Sequence, residues 1–307
     1  MSLLVVGTVA FDSVETPFGH QEDVLGGSAS FLSVAAAYRC PVRMVGVVGA
    51  DFPEAHLDFF RSRKIDTSGI NRLPGKTFRW RGRYGTDMNV AHTLETQLNV
   101  LEIFEPKLPP HFRDSAYVAL GNFSPDLQLN VLQQINNPKL VACDTMNYWI
   151  QNTNAELKKT LKHVHLLSIN DGEARQLSGE HNLVKAAQAI FAMGPHILVV
   201  KRGEYGALMF TNGHVFAAPS FPLEVIKDPT GAGDSFAGGM MGHLAQVDKV
   251  SPQSLRTAVI MGSCMASFAV EEFSLERFRT LKANEITQRF GQFQALTQFE
   301  TELPGLL

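Results

Sequence analysis

The residues best suited to chemistry lie at 228–242, which read DPTGAGDSFAGGMMG. Pro229 after Asp228 marks a turn. From Ala232 to Leu244 small and apolar residues dominate, which suits a tightly packed helix. Gly231, Ala232 and Gly233 therefore fall at a helix N terminus. Their N–H groups lack intrahelical partners there, and the helix dipole adds partial positive charge. The two together make an anion site, and glycine lets the backbone come close to a phosphate. Asp234 falls in the first helical turn, where the dipole alone favours an acidic residue. A carboxylate beside an anion hole can also act as a base. It takes the proton from a hydroxyl as that oxygen attacks a phosphoryl group held by the N–H donors.

Two other nucleotide motifs fail on spacing. Residues 69–77, GINRLPGKT, carry five residues between the glycines where a phosphate-binding P-loop has four. They also include Pro74 and lead into a strand-like segment, where a P-loop opens a helix. Gly231 and Gly233 begin a dinucleotide fingerprint, but Phe236 stands at the third glycine position.

An α/β frame must position these groups. Apolar runs at 3–10, 42–48, 117–120, 140–143, 164–169 and 197–200 read as buried strands. Helical spacing at 28–38, 124–134, 153–162, 171–178 and 182–193 separates several of them, which predicts a mostly parallel sheet with helices on both faces. The rhythm breaks near 74–103. Phe78, Trp80 and Tyr84 alternate there with Arg79, Arg81 and Arg83. Period two with one apolar and one charged face is an exposed-sheet pattern. It predicts a small antiparallel sheet set into the domain as a lid, a homodimer surface or both. The stretch 275–307 looks helical and carries no chemical motif.

Composition narrows the partners. At about 150 residues per domain, a chain of 307 residues fits two domains or one large α/β domain with an appendage. Net charge is −3 with no block of one sign, which argues against nucleic acid or an anionic membrane as the partner. No uncharged apolar run approaches the roughly 18 residues a membrane helix needs. Cys40, Cys143 and Cys264 are far apart, which disfavours a zinc knuckle or disulfide framework and points to the reducing cytoplasm. The start, MSLLVVGTVAFDSV, has no basic region ahead of its apolar run, and Asp12 follows, so it reads as a strand rather than a signal peptide.

The 228–242 segment resembles the C-terminal signature of the PfkB, or ribokinase-like, family of carbohydrate and nucleoside kinases. Asp228, Thr230, Gly231, Ala232, Gly233, Asp234, Phe236, Gly238 and Gly239 all suit it. Gly26 and Gly27 match the N-terminal di-glycine motif, Asn170 and Glu173 the N-x-x-E motif, and Gly203 and Gly206 the G-x-x-G turn on the nucleotide side. The resemblance covers nearly the whole chain as one ribokinase-like domain, with 74–103 as the lid.

The resemblance implies phosphoryl transfer from ATP with Mg²⁺, Asp234 as base and the Gly231–Gly233 backbone as anion hole. Asn170 and Glu173 then help place Mg²⁺ and phosphate, Glu173 through water. Lys201, Gly203, Gly206, Asp228 and Thr230 lie on the nucleotide side, and a monovalent cation can sit near Asp228 as in some relatives. Asp12, Gly26, Gly27 and Asn147 fall on the acceptor side. Asp12 suits two vicinal hydroxyls, though a loop Asp also caps its own backbone. Two departures touch the acceptor. Ser28, Ser30 and Ser33 stand where sugar kinases often carry an Asn, and Gly49-Ala50-Asp51 lacks the usual following glycine. The expected acceptor is a hydroxymethyl group of a small sugar. A nucleoside of adenosine or cytidine type is the alternative, and a non-catalytic nucleotide sensor is the other class.

Overall fold

Alternate residues of the first strand, β1 (Leu3–Val6), enter two different cores: Leu3 and Val5 one, Leu4 and Val6 the other. A parallel strand covered on both faces needs such an uninterrupted apolar run. The computed structural model describes residues 1–298. The chain continues through β2 (Ala10–Thr16), β3 (Gly19–Gly26), α1 (Ser28–Ala37), β4 (Val42–Val48), α2 (Glu54–Ser62) and β5 (Ile65–Arg72). Then come β6 (Phe78–Tyr84), β7 (Ala91–Gln97), β8 (Tyr117–Leu120), α3 (Pro125–Leu132), β9 (Leu140–Cys143), α4 (Asn147–Asn152) and α5 (Asn154–Leu161). Next are β10 (Leu166–Asn170), α6 (Asp171–Ser178), α7 (Leu183–Phe191), β11 (Ile197–Lys201), β12 (Ala207–Thr211) and β13 (His214–Ala218). The last described elements are α8 (Ala232–Val247), α9 (Pro252–Ala269), α10 (Glu276–Thr280) and α11 (Ala283–Thr297).

Nine strands form the main sheet in the order β13-β12-β11-β10-β9-β8-β1-β4-β5. The pairs from β5 to β11 are parallel; β12 and β13 close that edge antiparallel. Residues of α1, α8 and α9 fill the core on one face, and residues of α5, α6 and α7 fill the core on the other. The expected mostly parallel sheet with helices on both faces is therefore present.

The lid sheet runs β3-β2-β6-β7. Residues 78–97 supply two of its strands; the hairpin at 10–26 supplies the other two, which the alternation at 76–101 could not announce. The apolar run 3–10, read as one strand, is split between the sheets. β1 ends at Val6 and β2 starts at Ala10 in the lid, because apolarity reports burial and not chain direction. Nor is the lid wholly antiparallel: its central pair, β2 and β6, is parallel. Some 60 residues separate them, room for the long crossover that parallel neighbours require.

α8 is wedged between two helices. A β-carbon on Gly238 would come within 2.3 Å of the Leu32 carbonyl in α1, and one on Gly239 within 2.6 Å of Met265 in α9. These absent side chains let three backbones approach closely and fix where the N terminus of α8 points. The expected helix at 275–307 resolves into α10 and α11; residues 299–307 lie outside the described residues.

Candidate active site

The turn before α8 is built by Asp228. Its carboxylate is 1% exposed and accepts from the Thr230 N–H at 2.8 Å and the Ser274 N–H at 3.2 Å. Gly231 then adopts φ +73, a left-handed conformation that favours glycine. A β-carbon there would also sit 2.3 Å from the Phe31 ring. No side chain caps α8. The Ala232 N–H turns back to the Pro229 carbonyl at 3.1 Å, while no described residue accepts from the N–H groups of Gly233 or Asp234. Of the expected trio, Gly231 and Gly233 keep open N–H groups and Asp234 adds a third, since the turn itself consumes Ala232. Such an uncapped N terminus is an anion site in waiting.

Asp234 sits half-buried in the first turn of α8. Burial, with a further push from the Asp144 carboxylate and against the pull of Lys201, raises its pKa to about 7. Lys201, at the end of β11, donates to Asp144 Oδ2 at 3.0 Å. A β-carbon on Gly233 would lie 3.0 Å from the Lys201 ammonium, so this cation stands directly beside the open N terminus. Burial works against the charged ammonium, but Asp144 and Glu173 outweigh it, and the Lys201 pKa is raised.

Asp144 lies three residues before Asn147, the acceptor-side candidate drawn from the sequence. The structure puts them apart. Asp144 follows β9 and is 8% exposed. Asn147 starts α4, is exposed, and spends its side-chain oxygen on the Tyr148 N–H at 2.9 Å. The signal was position: sites in α/β sheets gather at the carboxyl ends of the strands, and Asp144 is one residue past such an end.

Asn170 and Glu173 form a capping box on α6. Each side chain accepts from the other's backbone N–H, at 2.8 Å in both directions. Burial, then Asp144, raise the Glu173 pKa against Lys201, so the carboxylate also belongs to the Asp144–Lys201 cluster. Gly203 and Gly206 turn the chain from β11 into antiparallel β12, with the Gly206 N–H donating to the Gly203 carbonyl at 3.1 Å.

Across the cleft, Asp12 projects from β2 and is 6% exposed. Burial raises its pKa to about 7; the Gly27 N–H, 3.4 Å away, pulls it back, while Asp228 and Asp234 push it further up. Gly26 leaves the space it needs: a β-carbon there would lie 1.9 Å from Asp12 Oδ2. Trp80 is the β6 partner of Asp12, so Phe78, Trp80 and Tyr84 share its face by strand alternation. Tyr84 reaches furthest in and is buried, and Thr230 Oγ1 donates to its hydroxyl at 3.3 Å. The arginines hold the opposite face, pairing Arg79 with Asp23 and Asp51, Arg81 with Glu22, and Arg83 with Glu15. Asp51 is the residue that enters the lid: its Oδ1 accepts from the Thr77 N–H at 2.7 Å. Ser28, Ser30 and Ser33 are buried in α1, where Ser28 bonds Thr8.

Among the described residues no three His, Cys, Asp or Glu side chains converge to hold a metal by themselves, and no helix is long and apolar enough to cross a membrane.

Comparison with known proteins agrees with this arrangement. The profile described as pfkB family carbohydrate kinase matches residues 4–278. A cytidine kinase from Thermococcus kodakarensis is 29% identical over 247 residues, 78% of this chain and 87% of the relative. Among solved structures, the nucleoside kinase of Methanocaldococcus jannaschii superposes with a TM-score of 0.76 at 20% identity, covering 95% of this chain and 98% of that one. The ribokinase of Cryptococcus neoformans var. grubii, solved with ADP, gives 0.74 at 20% identity, covering 94% and 98%.

Proposed function

The chain belongs to the pfkB carbohydrate kinase family, and on that premise we propose that it transfers the γ-phosphoryl group of ATP to a hydroxymethyl group, with Asp234 as base. The carrying observation is Asp234 itself: a carboxylate with its pKa raised to about 7, beside the uncapped N terminus of α8. A base whose pKa lies near neutrality is matched to neutral operation. The same N–H groups that hold the phosphoryl oxygens keep the hydroxyl and the phosphorus in line. Positioning and charge stabilisation are most of what phosphoryl transfer asks of a protein.

Gly231, Gly233 and Asp234 supply backbone donors, and Lys201 a fixed positive charge beside them. Gly203 and Gly206 shape the turn on the nucleotide side. Asp12 accepts from acceptor hydroxyls, which orients the hydroxymethyl toward Asp234. Mg²⁺ commonly binds through one or two carboxylates plus phosphates and water. Glu173 fits that need, since its Oε1 is not spent in the capping box; Asp144 adds a second carboxylate, although its Oδ1 already accepts from the Thr145 N–H at 2.8 Å and its Oδ2 from Lys201. Bound with the nucleotide, the ion would neutralise phosphate charge.

A nucleoside is the leading acceptor and a small sugar the second, which reverses the order drawn from sequence. The similarity to a cytidine kinase over most of both chains supports the reversal, as does the aromatic face that the lid turns toward Asp12. Aromatic rings suit a nucleobase better than a sugar alone. A pure sensor would have no use for a carboxylate at this point of the anion site. The test is ADP release with Mg·ATP across a panel of nucleosides and sugars, with Asp234→Asn as control. Turnover on nucleosides that is lost in the variant supports the reading; turnover on sugars alone restores the first order. ADP binding without turnover on any acceptor sinks the kinase assignment in favour of a sensor.

A further inference from the structure

The β6–β7 hairpin touches both halves of the cleft. Where its turn begins stands Tyr84, 9% exposed, bonded to Thr230 in the turn that opens α8. Burial, together with the charges of Asp228, Asp12 and Asp234, holds the phenol proton on, so the hydroxyl stays neutral and able to donate.

Five residues on, the tip reaches the other side. The Asn89 N–H donates to Asp87 Oδ1 at 2.9 Å, which folds the tip. A β-carbon on Gly203 would lie 1.7 Å from Asn89 Oδ1. The amide of Asn89 thus occupies space that only a glycine leaves open. Gly203 also has φ +54, so both its conformation and its surface call for glycine. Asp87 lies near enough to Tyr205 to add to the larger effect of Glu204 on that phenol. The tip therefore rests on the turn Gly203–Tyr205, two residues beyond Lys201. Residues 85–87, 89 and 90 are exposed, so few contacts decide where the tip lies.

We propose that this hairpin couples the two substrate sites: a nucleotide seated at the Gly203 turn and the α8 N terminus fixes the hairpin in its closed position over the acceptor pocket. Asn89 is a positioning residue, acting through the lid and not on the phosphoryl group. The inference rests on the nucleotide-side reading of Gly203 and Gly206 given above. A ligand that favours the closed arrangement shifts the lid population by its differential affinity and no more. Coupling of this kind typically amounts to about 5–150-fold.

Hydrogen exchange with Mg·ADP alone tests this without knowing the acceptor. In the wild type, Mg·ADP is expected to slow exchange in both 228–236 and 84–91, the latter by at least about 5-fold. In Asn89→Ala the protection of 228–236 persists and the ADP-dependent protection of 84–91 is lost. The readout is the difference made by ADP, which a merely structural role of Asn89 leaves in place. Tyr84→Phe, which keeps the ring and the fold, is expected to weaken the same ADP-dependent protection. Protection of 228–236 with none at 84–91 in the wild type overturns the coupling and leaves the kinase reading standing. So does full ADP-dependent protection of 84–91 in Asn89→Ala. Absence of protection at both segments overturns the nucleotide reading and this inference with it.

Discussion

The main sheet and the lid sheet obey opposite rules. In the main sheet β1, β8 and β9 are buried along their whole length, with a core on each face. In the lid every residue of β7 is exposed, and the outer face is held by ion pairs such as Arg81–Glu22, whose side chains are 50% and 66% exposed. Burial on two faces fixes a backbone; a polar, one-sided sheet is tied down by few contacts and opens at low cost. The groups proposed for phosphoryl transfer stand on the first region: Asp234 on a helix wedged between α1 and α9, Lys201 and Asp144 at strand ends. The groups proposed to cover the acceptor, Asp12 and Tyr84, stand on the second. Two polar contacts tie that cover to the loop before α8: Thr16 Oγ1 to the Lys227 carbonyl at 2.8 Å, and Thr230 to Tyr84 at 3.3 Å. Rigid chemistry under a movable cover is what a kinase needs to keep water from competing with its acceptor.

Four experiments put that contrast to the test. The largest effect belongs to Asp234→Asn, expected to lower kcat by roughly 10²–10⁴, the range for a lost general base, with ADP affinity nearly unchanged by calorimetry. Wild-type turnover in the variant would remove Asp234 from the mechanism. Next is Lys201→Met. Lys201 and Asp144 are only 17% and 11% exposed, so removing the cation strands a buried carboxylate, at a cost of up to about 3–5 kcal/mol in denaturant unfolding. A loss as small as that of a surface pair would mean that water already solvates the site.

The third experiment is pH. Asp12 and Asp234 each rise from 3.8 to about 7 on folding. Below about pH 7 both carry protons, so Asp234 cannot take the proton of a hydroxyl and Asp12 keeps fewer lone pairs for acceptor hydroxyls, and kcat/KM falls on the acid side. The sign for stability is opposite. Groups whose pKa rises on folding stabilise the fold when protonated, and that contribution is lost as pH climbs from 3.8 to about 7. Asp234→Asn is therefore expected to melt a few degrees above the wild type in alkaline buffer and level with it in acid. A constant gap at all pH values would contradict the shift. The smallest effect is Arg81→Ala on the lid's outer face. Its exposed pair is worth at most about 1 kcal/mol, so Tm and kcat stay near wild type. A large fall in either would show that the outer face is covered by something, a second copy of the chain among the options.

Most of the frame was readable because buried parallel strands and amphipathic helices write themselves as local periodicities. The helix at 171–178 and the strand at 117–120 stand where spacing put them. The β2–β3 hairpin was not readable. Its β3 strand, GHQEDVLG, is exposed over most of its length and carries no alternation to detect. In the site, Asp234 and the glycines before it announced themselves through one contiguous segment. Asp144 did not, because its meaning comes from a lysine 57 positions away.

The turn and helix at 228–244, the strand–helix rhythm and the two-faced lid strand were written locally, since each depends on neighbours within a few residues. Folding alone settled which N–H groups at the start of α8 remain open, that Asp144 and not Asn147 joins Lys201, and that Tyr84 meets the turn before α8 while Asn89 meets the turn after β11. Those facts depend on distances between strands and loops far apart in the chain, and a local pattern holds no record of them.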